Sequence, residues 1–186
     1  MAELPRERFM DPLRRHEAYE DRPVPIGAGQ TISQPYIVAL MTQELNVQPD
    51  HRVLDVGAGS GYQTAVLARL AGEVFAIERI AELARRAAEV LGELGIDNVT
   101  LTVGDGSVGW EAHAPYDRIL CGAAGPDVPT SWIRQLADGG RIVMPTGGPE
   151  VQTLIAVDKH RGEVRRREIC GVRFVRLIGK EGWPGE

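Results

Sequence analysis

Short apolar runs of strand length recur along the chain at 52–57 (RVLDVG), 73–78 (EVFAIE), 98–103 (NVTLTV), 117–122 (DRILCG) and 140–144 (GRIVM). Helical patterns lie between them. The clearest is Ile80, Leu83, Ala84, Ala87, Leu91 and Leu94, a stripe that stops at Gly95, whose missing Cβ suits a left-handed cap. Alternation of this kind predicts an α/β fold with a doubly wound, mainly parallel sheet, because a right-handed crossover returns each strand in the same direction. The tail departs from the pattern. Residues 151–158, a turn at 159–162 and residues 163–177 form two extended segments with no helix between them, which predicts a C-terminal antiparallel hairpin. Ahead of the first strand the pattern predicts a short charged helix near 6–19, a loop, and a helix over about 34–46.

Length and composition narrow the setting. The 186 residues suit one domain, 1–186, divided here into an N-terminal helical and loop region (1–50), a core (51–145) and the C-terminal hairpin (146–186). A net charge of -5 argues against a nucleic-acid partner. The one basic run, Arg165-Arg166-Arg167, reads as the solvated face of a strand. Cys121 and Cys170 stand alone without metal-ligand spacing, so both read as reduced thiols of a cytoplasmic protein with no metal site. No apolar run approaches the length of a membrane span, and a monomer is the default expectation.

Chemistry concentrates in VLDVGAGSGY, residues 53–62. A buried strand feeding Gly57, Gly59 and Gly61 and then a helix lets bare backbone approach a ligand at the carboxyl edge of the sheet. The dinucleotide fingerprint wants its third glycine one place later, where Tyr62 stands. The tighter spacing after an acidic strand residue resembles motif I of S-adenosylmethionine-dependent methyltransferases, which makes S-adenosyl-L-methionine the expected cofactor. Glu78, ending the second strand, is placed to accept from ribose hydroxyls. Asp105, followed by Gly106 at the end of the third strand, brings a carboxylate towards the adenine amino group. Asp55 sits beneath the loop, ordering its backbone or accepting from the cofactor ammonium. Each acid also has a local reading, as a helix-start or turn residue. Three at the ends of three successive strands favour the ligand.

The stretch PIGAGQTISQPYIVALMTQEL resembles the region ahead of motif I in the protein-L-isoaspartate (D-aspartate) O-methyltransferases. The similarity continues through VLDVGAGSGYQTAVLARL, VFAIER, NVTLTVGDG, APYDRILCGAA, ADGGRIVMP and VRFVRLIGKEGW, covering nearly the whole chain from Pro5. It implies a Rossmann-like methyltransferase fold and methyl transfer to the free carboxylate of L-isoaspartyl, and more weakly D-aspartyl, residues in damaged proteins and peptides, beginning their repair. It also implies that Ser33 is the active-site residue and that Asp55, Gly57, Gly59, Glu78 and Asp105 bind the cofactor. The segment Val172-Arg173-Phe174-Val175 resembles a family segment whose extended backbone pairs with a peptide. The chain departs from the family at Arg176, where proline is common, and at its front, which is shorter.

A carboxylate acceptor fits the residue chemistry. It is ionised at neutral pH, so no general base is required, and His16, His51, His113 and His160 fall outside the motif loops. Ser33 then donates a hydrogen bond to the acceptor, with Gln30, Thr31, Ile32, Arg173 and Phe174 as substrate-binding neighbours. Two residues before Pro35, Ser33 is also placed to cap a helix. Two other readings stand beside this one: a related O-methyltransferase acting on another carboxylate, and a non-catalytic cofactor-binding scaffold.

Overall fold

The computed structural model describes residues 4–185; the remaining ends of the expected 1–186 domain lie outside them. In chain order the elements are β1 (Val24–Gly27), β2 (Gln30–Ile32), α1 (Pro35–Leu45), β3 (Arg52–Val56), α2 (Tyr62–Ala68), β4 (Glu73–Glu78), α3 (Ala81–Glu93), β5 (Val99–Val103), β6 (Tyr116–Cys121), α4 (Thr130–Gln135), β7 (Leu136–Gly147), β8 (Gln152–His160) and β9 (Glu163–Val172). β3 to β9 form one sheet in the order β5-β4-β3-β6-β7-β8-β9. The pairs from β5 across to β7 are parallel, and β8 and β9 close the sheet antiparallel. The strand order reverses at β3, the point at which such sheets bind ligands.

Period-2 alternation sends side chains to opposite faces of the sheet. Val53, Val74, Leu120 and Val143 join the buried cluster beneath α1, α2 and α3, whereas Leu54, Phe75, Ile119 and Ile142 join a second cluster with Trp132 of α4. The stripe read from the sequence is the buried face of α3, through Leu83, Ala84, Ala87 and Leu91. Each leucine buried there contributes about 2 kcal/mol. Gly95 adopts a left-handed conformation (φ 63°) just past the helix end, as its missing Cβ allows. The turn joining β8 to β9 has positive φ at both Arg161 and Gly162, the geometry that matches the twist of a hairpin.

Three expectations are corrected. The single helix near 6–19 is two 3-10 turns, Arg6–Phe9 and Pro12–Glu17. Pro12 forces the break, because it cannot continue a helix and holds Asp11 extended (ψ 132°). The loop before α1 is a small hairpin, β1 against β2, turning at Ala28 and Gly29 with positive φ at both. The second tail segment leaves the sheet at Val172 and does not stay in strand to 177. No helix of the described residues is long and apolar enough to cross a membrane.

Candidate active site

The loop after β3 is stitched to the end of β4. Gly57 N and Ala58 N both donate to the Ile77 carbonyl, at 2.8 and 3.2 Å. Gly57 (φ 81°) and Gly59 (φ 56°) take conformations that side chains rarely tolerate. The Glu78 carboxylate holds the turn from the other side, accepting from Gly59 N through Oε2 and from Ile80 N through Oε1, each at 2.8 Å. Above this edge opens a cavity of about 630 Å³, lined among others by Gly57, Gly59, Glu78, Gly106, Gly122 and Thr31. Its backbone-lined wall and rim carboxylate give close approach at one end and hydroxyl acceptors at the other. Gly61 does not reach this wall. A Cβ there would stand 3.0 Å from Ala87 Cβ, so Gly61 serves the packing of α2 against α3.

The two aspartates occupy contrasting environments. Asp55 is buried beneath the loop, and its Oδ2 accepts from the Thr64 hydroxyl at 2.6 Å. Burial pushes its carboxyl up to about 7, aided by the charge of Glu78 and opposed by the Thr64 hydrogen bond. Asp55 lines a small cavity of about 50 Å³ together with Gly57, Gly59, Tyr62, Ile32 and Ser33. Asp105 lines neither of these two cavities. Its Oδ1 accepts from Ser107 N and Oγ, and its Oδ2 from Lys180 N at 2.8 Å. Burial disfavours its charge, but the Ser107 hydroxyl and these amides outweigh that and keep the carboxyl below its ordinary range. Asp105 therefore clasps the C-terminal segment over the cavity, whose wall includes Ile178, Pro184 and Gly185.

Ser33 lies where two spaces meet. It lines the small cavity and also an open groove of about 480 Å³ walled by Thr31, Tyr36, Arg173 and Phe174. Thr31 borders both of these and the large cavity. Gln30 lines the large cavity and not the groove, so it stands on the large-cavity side of the hairpin. The capping expectation fails for Ser33. The residue preceding α1 is Gln34, and Asp21 supplies the cap, its Oδ1 accepting from Tyr36 N at 3.0 Å. The Ser33 hydroxyl is left free of hydrogen bonds among the described residues.

The groove's other wall depends on a residue the sequence pattern does not reveal. Gln152 grips the Phe174 backbone twice, accepting from its N at 2.6 Å and donating to its carbonyl at 3.1 Å. Ala124 then takes over, its N donating to the Val175 carbonyl and its carbonyl accepting from Leu177 N. These bonds draw 173–177 off the sheet and across its carboxyl edge. The Phe174 backbone N–H and carbonyl are thereby occupied by Gln152, while Arg173 stays exposed. Gln152, Asp21 and Asp105 act through side-chain bonds to backbone distant in sequence. The one hint in the sequence is a polar side chain inside an apolar strand, as at Gln152.

The comparisons with known proteins agree with this geometry. The family model described as protein-L-isoaspartate(D-aspartate) O-methyltransferase matches residues 1–182. A protein-L-isoaspartate O-methyltransferase of Syntrophus aciditrophicus is 48% identical, the match covering 100% of this chain and 86% of that protein. A solved protein-L-isoaspartate O-methyltransferase superposes with a TM-score of 0.87 at 30% identity, over 97% of this chain and 60% of the other. A Plasmodium falciparum structure described as a protein-L-isoaspartate O-methyltransferase in complex with S-adenosyl-L-homocysteine gives 0.80 at 28% identity, over 93% and 85%. Glycine loop, rim carboxylate and serine-bearing hairpin thus sit in a chain that belongs to the protein-L-isoaspartate(D-aspartate) O-methyltransferase family.

Proposed function

We propose that the protein transfers a methyl group from S-adenosylmethionine to the free carboxylate of L-isoaspartyl, and more weakly D-aspartyl, residues in damaged proteins and peptides. The observation that carries this reading is Ser33, whose hydroxyl has no partner among the described residues and which borders both the small cavity and the groove. A groove open to solvent suits a side chain presented by a polypeptide.

The residues present fit the cofactor. Each Glu78 oxygen receives one backbone amide and keeps capacity to accept a ribose hydroxyl. Gly57 and Gly59 allow close approach, with Gly61 setting the turn. Asp55, near neutrality without a cation, is suited to accept from an ammonium group. Gly106 bounds the adenine end, and Asp105 holds the segment that covers it.

S-adenosylmethionine supplies a methyl group on a positively charged sulfur. One oxygen of the acceptor carboxylate bonds to that carbon as the carbon–sulfur bond breaks, the electron pair stays on sulfur, and no proton moves. The protein's task is therefore alignment, worth roughly 7 to 11 kcal/mol in favourable cases. Ser33 donates to the second carboxylate oxygen and turns the first towards the methyl. Thr31 and Ile32 shape the junction, Gln30 closes the hairpin over the cofactor, and Arg173 and Phe174 flank the peptide. The two unpaired cysteines support a cytoplasmic setting, in which the chain acts as a single-domain monomer.

Labelled methyl transfer to an isoaspartyl peptide beside its aspartyl twin tests the proposal. Base-labile label on the isoaspartyl peptide alone is expected; label on neither, with tight cofactor binding, overturns it. Ser33→Ala is expected to lower kcat by about 10²- to 10³-fold while leaving the affinity for S-adenosylhomocysteine within about twofold.

A further inference from the structure

Arg6 is almost fully buried, 1% exposed, in the first 3-10 turn, and nothing in the chemistry above uses it. Its Nε donates to the Ala18 carbonyl at 2.7 Å and its Nη2 to the Ser33 carbonyl at 2.6 Å. The guanidinium carbon lies 4.9 Å from the centre of the Tyr62 ring, and that ring walls the small cavity with Ser33 and Asp55. Among the described residues Nη1 has no acceptor, and no carboxylate is within ion-pair distance of the group.

A buried cation without a counter-ion costs several kcal/mol. Burial presses the Arg6 pKa down, with Tyr62 and Tyr19 opposing, yet a guanidinium stays charged in proteins. A side chain whose only task was to fill this space would be apolar. What arginine adds is a rigid planar fork that bridges two carbonyls, here from Ala18 and from the acceptor serine.

We infer that Arg6 is a positioning residue for the acceptor carboxylate: it pins the Ser33 carbonyl, so fixing where the Ser33 hydroxyl points, and its uncompensated charge favours an anion beside Ser33. This rests on the carboxylate-acceptor reading. It separates Arg6 from the cofactor, whose rim carboxylate and glycines are held by β3 and β4.

The test measures Arg6→Lys and Arg6→Met beside the unaltered chain, with three readouts: isoaspartyl peptide kinetics, calorimetric binding of S-adenosylhomocysteine, and thermal midpoint. Arg6→Lys keeps the charge but cannot bridge both carbonyls. It is expected to lower kcat/KM about tenfold, chiefly through the peptide KM, with S-adenosylhomocysteine affinity within about twofold. Arg6→Met is expected to lose about a hundredfold with the same cofactor affinity. If Arg6→Met does not fold, Arg6→Lys decides alone. Kinetics unchanged from the unaltered chain overturn the inference. So does parallel loss of cofactor affinity, midpoint and turnover, since that marks a residue needed only for folding. Absence of transfer by the unaltered chain overturns the acceptor reading and this inference with it; normal transfer with undisturbed variants overturns Arg6 alone.

Discussion

Asp55 stands near half protonation at neutral pH, its carboxyl pushed up to about 7 by burial. The folded chain therefore retains a proton that the unfolded chain gives up in mild acid. The stability this confers is fully present below the ordinary carboxylate pKa and is lost as pH rises through about 7. Asp55→Asn has no charge to bury and still accepts from Thr64. Its thermal midpoint relative to the unaltered chain is expected to climb between about pH 4 and pH 8, by the equivalent of at most about 4 kcal/mol. A pH-independent difference would remove Asp55 as the titrating group. Glu78 is constrained differently, because both of its oxygens accept from backbone amides. In Glu78→Gln one amide must face an NH2 group, an arrangement of two donors. That substitution is expected to cost about 1 to 3 kcal/mol of stability and to weaken S-adenosylhomocysteine binding at least about tenfold, measured by thermal melts and calorimetry.

Among the elements, those that depend on near neighbours were legible in the sequence. The α3 stripe, its glycine stop, the parallel strands and the closing hairpin follow from periodicity and turn chemistry, because burial on one face repeats every 3.6 or 2 residues. Gly61 carries both kinds of information. Its positive φ (85°) belongs to the turn, which the Gly-x-Gly-x-Gly spacing announces, whereas the 3.0 Å clearance from Ala87 belongs to the fold. Gly61→Ala is expected to destabilise the protein by about 1 to 3 kcal/mol, read as a lower midpoint, and Gly59→Ala less, because a Cβ there comes no nearer than 3.5 Å to an Ile26 side-chain tip and 3.8 Å to the Gly57 carbonyl oxygen. The contacts that the pattern did not reveal share one cause. Asp21 capping α1, Gln152 gripping Phe174 and Asp105 holding Lys180 are bonds from side chains to distant backbone, and no periodicity encodes them. Ser33 was misjudged as a cap because its local sequence satisfies the rule while Asp21 takes the work. The position of Ser33 in the site was still readable from resemblance.

For the molecule as a whole, the large cavity is bounded by segments from the N-terminal and C-terminal regions of the chain. The β1–β2 hairpin supplies one wall and residues 176–185 another. Asp105 joins the second wall to the core through Lys180 N, and Ser107 Oγ accepts from Glu181 N at 3.0 Å. Asp105→Ala is expected to loosen this wall, giving faster proteolysis after Arg176 and about tenfold weaker S-adenosylhomocysteine binding. Unchanged cleavage would show that the segment is held by its other bonds, such as Trp183 Nε1 to the Ala124 carbonyl.

The far edge of the sheet has a different bearing on such a protein's life. β9 pairs only with β8, and its first six residues hold Glu163, Arg165, Arg166, Arg167 and Glu168. An open strand edge is a template for aggregation, and charged side chains blunt it. A family that acts on isoaspartyl residues of proteins and peptides meets extended polypeptide, and the arginine-rich border of β9 opposes its annealing onto the sheet.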